Sequence, residues 1–251
     1  MQDSNIYEAP TQKDAREARI LSLEERAELA QPSLKVNDVA LAASLLARVP
    51  KITLDVISNV LQFAGLLVVF DAETRENRRG RYDMNEEYLR LNIPEESTLA
   101  LPRGMALSKC YEVVVQCTSR DQGWASQDHE HDGTYAASFT WSEVAVLKNT
   151  TDGGTEVART LVCRNARVVN TSRHHVRHFR SPDDIPDHVA PGSSLQLIIR
   201  SQYPGWANTV EYGHLRARFF VELDEDFEFL SPTEIAKAIP SEPAQGRCTV
   251  Q

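Results

Sequence analysis

The sequence predicts a mainly β protein: an antiparallel β-sandwich of jelly-roll type preceded by an α-helical segment. Three observations carry this. From about residue 96 onward, short runs rich in Val, Ile, Phe and Thr recur between Gly, Pro, Asn and Asp. No helical stretch separates them, as the crossovers of a parallel sheet would require. Ahead of them, apolar residues recur three and four apart, the period of an amphipathic helix.

In chain order, "QKDAREARILSLEERAELA" is charged with sparse apolar positions, and "NDVALAASLLARV" and "TLDVISNVLQFAG" carry the helical spacing. Asn37 and Thr53 are expected N-caps, Pro50 separates the helices, and Gly65 suits the left-handed position that ends one. The stretch "DAETRENRRGRYDMNEEYLR" reads as a charged, solvated connector. The strands expected next are "CYEVVVQCT", "SFTWSEVAVL", "VARTLVCRNARVV", "SSLQLIIRSQ" and "GHLRARFFVELD". In the last, Leu215, Ala217, Phe219, Val221 and Leu223 alternate with His214, Arg216, Arg218 and Glu222, giving one buried and one wet face that Phe220 interrupts. "NTTDGGTE" predicts a hairpin turn. Three regions follow: residues 1–95 as helical segment and connector, 96–226 as the sandwich, and 227–251 as a flexible tail.

The 251 residues suffice for a core without disulfide staples, and a 41% hydrophobic, 25% charged composition is that of an ordinary globular protein. A net charge of -9 argues against a general nucleic-acid binder, which needs an excess of Lys and Arg. The first residues lack a basic start and an apolar run, and the longest apolar run, Phe63 to Phe70, is far shorter than the roughly 20 residues that cross a bilayer. The expectation is a cytoplasmic chain whose Cys110, Cys117 and Cys163 are buried thiols.

Two stretches stand out as candidate sites. "CTSRDQGWA" and "SQYPGWANTV" each set a tryptophan behind a glycine at a strand end, with hydrogen-bonding side chains nearby. Arg120, Asp121, Gln122, Trp124, Trp206 and Asn208 are the candidate ligand-binding residues, because an indole face packs on apolar ring surfaces while Asp, Asn and Arg bond hydroxyls or peptide groups. The same residues also build sandwich corners, where glycine permits positive φ and Asp caps backbone amides. A second set is histidine-rich: His129 and His131 in "DHEHDG", and His174, His175 and His178 in "SRHHVRHF". On adjacent strands these would converge on a divalent metal, as in a cupin-like enzyme, although the carboxylate expected after the first pair is missing. Otherwise no cofactor is expected. No nucleophile elbow or phosphate loop is present. The ending Cys248-Thr-Val-Gln matches a C-a-a-X box and predicts farnesylation at Cys248, with reversible membrane contact, since one isoprenoid binds membranes only marginally.

Taken together, "SRDQGW", "GTY…SFTWSEV", "CRNARV…SRHHVRHF" and "YPGWANTVEYGHLRARF" resemble a group of largely uncharacterised fungal proteins with one β-rich domain, often preceded by an F-box-like segment. The likeness covers roughly residues 50 to 225, with Ser142 where the group's second aromatic usually stands. It implies a comparison with jelly-roll recognition domains of F-box proteins that bind glycans or protein tails, and so a non-catalytic recognition module. "VPKITLDVISNVLQFAG", about residues 49–66, is similar to an F-box core, which would dock on a Skp-type adaptor. The other reading is that Val56, Ile57, Val60, Leu61 and Phe63 pack on the sandwich.

Overall fold

The structure, a computed structural model, describes residues 34–125, 129–148, 154–181 and 183–238. Two helices open the described chain, α1 (Val36–Leu46) and α2 (Leu54–Phe63). α1 begins after Lys35, whose backbone N–H donates to the Asp38 carboxylate at 2.8 Å. Asn37 therefore lies inside the first turn and is not the cap; Lys35 holds that position, and the Asp38 carboxylate sits favourably near the helix's positive end. Thr53 is the N-cap of α2, as expected. Gly65 adopts φ +67, and the N–H groups of Gly65 and Leu66 reach back to the carbonyls of Gln62 and Leu61. That closing turn needs the left-handed conformation glycine provides.

Among the described residues nine strands follow: β1 (Val68–Thr74), β2 (Arg78–Arg81), β3 (Met84–Asn92), β4 (Met105–Arg120), β5 (Thr140–Lys148), β6 (Thr155–Arg164), β7 (Arg173–Arg180), β8 (Ser193–Ser201) and β9 (Ala207–Leu223). Short helices α3 (Asp184–His188) and α4 (Pro232–Ala238) sit before β8 and after β9. One sheet runs β1-β9-β4-β7 with β2 also paired to β9, the other β3-β8-β5-β6, and these strands pair antiparallel. The fold is the expected sandwich. β5 and β6 pair as a hairpin through Lys148 and Thr155, and the turn residues 149–153 lie outside the described residues.

Two expected boundaries shift. The sandwich begins at Val68 rather than near residue 96, because the stretch expected as a charged connector forms β1, β2 and β3. These are edge strands: their backbones pair with β9 and β8 while exposed Arg, Asp and Glu side chains hide the apolar alternation. At the other end, residues 227–238 are packed rather than a free tail. Phe227 and Ile235 are buried, and the Leu230 N–H donates to Ser44 Oγ on α1 at 2.9 Å. Residues 239–251, with Cys248, lie outside the described residues, as does the charged stretch before residue 34.

The core joins both sheets and the helices. Val113, Val115, Leu215, Ala217 and Phe219 from one sheet meet Val144, Val146, Leu195, Leu197 and Ile199 from the other. Val39, Ile57 and Leu61 belong to the same apolar cluster. The packing reading of α2 is thus half of the picture: Ile57 and Leu61 are buried, whereas Val56, Val60 and Phe63 are exposed, Phe63 to 92%. Among the described residues no helix is long and apolar enough to cross a membrane.

Candidate functional site

At one end of the sandwich, the connections leaving β4 and entering β9 form the two tryptophan corners. They share a rim. The Gln122 side chain joins them, donating from Nε2 to the Trp124 carbonyl at 2.8 Å and accepting the Ala207 N–H at 3.1 Å. Trp124 lies over Gly205: a Cβ added there would meet its Cη2 at 3.4 Å, and φ +86 at Gly205 already favours glycine.

Most of the expected ligand-binding residues are consumed by this construction. Asp121 is fully buried, accepting the N–H groups of Gly123 at 2.8 Å and Val168 at 2.7 Å. Burial pushes its pKa up, while those donors pull the other way. Asn208, also fully buried, donates to the carbonyls of Trp141 and Arg200 on the opposite sheet and accepts from Asn165 Nδ2 at 2.9 Å. Asn165 in turn reaches Thr140 Oγ1 and accepts from Ser119. Arg120 donates to Asn170 at 2.9 Å and stands 3.7 Å from Glu211. These polar groups clamp the sheets together where the apolar core ends.

Aromatic surface is what remains outward. Trp124 is 55% exposed, Tyr203 45% and Tyr82 58%. Phe139 stands between Tyr203 and Trp206, edge to face with each at 4.7 and 5.1 Å, and Tyr82 joins through its N–H to the Trp206 carbonyl at 3.2 Å. The Arg167 guanidinium lies 5.9 Å from the Trp206 ring. Sequence reasoning found Trp124 and Trp206 but missed Tyr82, Phe139 and Tyr203. Tyr203 and Phe139 had a signal, since one immediately precedes the Pro-Gly-Trp turn and the other lies in the "SFTWSEV" stretch; Tyr82 comes from a distant segment and had none.

The histidines do not converge. His174 and His178 lie on the outer face of β7 and His175 on its inner face, because strand side chains alternate. His174 Nδ1 bonds Thr118 Oγ1 at 2.8 Å and His178 donates to Glu112 at 2.9 Å, while His175 packs edge-on to Tyr135. His129 and His131 occupy a surface turn in which His129 bonds Asp132 at 2.8 Å. Among the described residues no group of three or more His, Cys, Asp or Glu is arranged to hold a metal. Cys110, Cys117 and Cys163 are buried free thiols, as expected.

The outer face of the β1-β9-β4-β7 sheet departs from the wet face expected. His214 and Arg216 are buried there because charged neighbours cover one another. Fully buried Glu112 is flanked by Arg180 at 2.6 Å, His178 at 2.9 Å and Arg218 at 3.2 Å. Burial opposes its charge, yet His178 and the two arginines together hold its carboxyl below the usual range.

No family model matches this chain, and no curated protein matches it. Similar solved structures include one described as infectious bursal disease virus Gt strain, 13% identical, covering 61% of this chain and 32% of that one with a TM-score of 0.33. Another, described as "CBM4 structure and function", is 8% identical and covers 62% of this chain and 94% of that one, TM-score 0.26. The cowpea mosaic virus top component is 8% identical, covering 66% and 88%, TM-score 0.25.

Proposed function

We propose that this chain is a non-catalytic recognition module that takes a protein or glycan-like ligand on its aromatic rim. The observation that carries this reading is a half-exposed Trp124 whose backbone is fixed on both sides, by Asp121 through Gly123 and by Gln122. An exposed indole on rigid backbone loses little conformational freedom on binding, and its face suits the apolar face of a sugar ring or an aliphatic side chain. Tyr203 and Tyr82 widen that surface. Binding of the full chain to glycan and peptide arrays is the test. Trp124→Ala with Tyr203→Ala should lower affinity roughly ten- to a hundredfold, since anchor residues of this kind carry about 1–3 kcal/mol, while thermal stability changes little. Undiminished binding by a folded double variant would sink the reading.

A second reading rests on the helices. Val56, Val60 and Phe63 lie four and three residues apart on α2 and form an exposed apolar stripe, while Ile57 and Leu61 hold the helix to the core. Such a stripe suits a Skp-type adaptor. Phe63→Asp should abolish co-purification with that subunit and leave the melting temperature unchanged; a wild-type chain that never forms the complex removes this reading.

A further inference from the structure

The outer face of the five-stranded sheet carries a second concavity, away from the rim. It is an open depression of about 500 Å³ whose walls and floor include Asp71 and Glu73 of β1, Gln116 of β4, and Tyr212, His214 and Arg216 of β9. That size falls in the roughly 300–1,000 Å³ range of small-molecule sites. Its floor consists of oriented polar groups. Gln116 donates to His214 Nδ1 at 3.0 Å, which leaves the ring proton on Nε2, 3.9 Å from the Asp71 carboxylate. Arg216 Nη2 stands 3.3 Å from the same carboxylate. Burial and the adjacent Arg216 lower the His214 pKa, against the opposing pull of Asp71 and Glu73.

We propose that this depression binds a neutral, polyhydroxylated ligand, a short saccharide chain. The charges in its floor already answer one another, Asp71 against Arg216 with His214 beside them. An anionic ligand meets Asp71 and Glu73, a cationic one meets Arg216, and a zwitterion has to separate the existing pair. Hydroxyl groups do none of these things. Each both donates and accepts, a carboxylate offers several acceptor sites, and half-exposed Asp71 and exposed Glu73 present theirs to solvent. Half-exposed Asp71 and exposed Glu73 stand on an edge strand, where a ligand reaches them without unfolding anything.

The inference is independent of the rim, and the experiment separates the two. The uniformly labelled full chain is titrated with maltotriose, cellotriose, mannotriose and chitotriose, with a sulfated trisaccharide and with glycine as charged and zwitterionic controls, following amide shifts. At least one neutral trisaccharide should shift residues of β1, β4 and β9 around Glu73, Gln116 and His214. Glu73→Gln and Asp71→Ala should each weaken it at least tenfold, and Trp124→Ala should leave it unchanged. Glu73→Gln changes no buried group and keeps the question open should Asp71→Ala fail to fold. The proposal falls if no neutral trisaccharide shifts these residues at millimolar concentration, if a control binds more tightly, or if the shifts survive Glu73→Gln. Shifts confined to the rim and lost in Trp124→Ala would overturn it while supporting the rim reading.

Discussion

Asn208 illustrates how a residue that looks like a ligand contact becomes a strut. Its amide crosses between the sheets to two carbonyls, and its oxygen receives Asn165, so no hydrogen-bonding capacity faces solvent. Removing it takes that donor from carbonyls beside a fully buried side chain, where an unmet polar group costs free energy. Asn208→Ala should lose roughly 2–4 kcal/mol in urea unfolding. His175 makes a pH-dependent claim at the same scale. Its ring is buried, Nε2 meets no hydrogen-bond partner among the described residues, and burial, with His174 and Arg173 nearby, lowers its pKa from 6.5 to about 4. Between these values the unfolded chain takes up a proton that the folded chain refuses. Stability therefore falls as pH drops through that window, by roughly 3 kcal/mol in total. Urea midpoints from pH 7 to pH 4 should show this loss, and His175→Phe should shrink it, with the depressed His214 leaving part of the slope.

At the scale of elements, what the sequence disclosed depends on which faces a strand buries. β5, β8 and the inner face of β9 were legible because β-branched and aromatic residues alternate or run continuously where both sides are covered. β2 was not, since "RRGR" pairs with β9 through its backbone while its side chains face outward or half outward. The outer face of β9 was misjudged for a related reason. Arg216 reads as solvated until Asp71, 145 positions earlier, is brought beside it by the β1–β9 register. The candidate site divides likewise. The glycine-tryptophan corners are local and visible in sequence, whereas their placement on one rim follows from Gln122 reaching Ala207 across 85 positions, which no local pattern encodes.

Over the whole molecule, the question is whether α1 and α2 form a separable adaptor-docking module or part of one folding unit. Leu61 and Ile57 are buried in the same cluster as Phe219 and Leu215, the Val69 N–H of β1 donates to the Leu34 carbonyl, and Leu230 beyond β9 is tied to Ser44 of α1. Contacts made from both ends of the described chain couple the helices to the sheets. Leu61→Ala opens a cavity at that junction and should cost about 2–5 kcal/mol. Its distribution is the informative part. Trp124, Trp141 and Trp206 all lie in or beside the sandwich, so tryptophan fluorescence reports the sheets, and far-UV circular dichroism includes the helices. In a single cooperative unit both signals shift to the same lower denaturant midpoint in Leu61→Ala. A fluorescence midpoint that stays in place while the helical signal is lost early would show the helices to be a detachable arm, and the exposed stripe of α2 would then lack the rigid base on which adaptor docking depends.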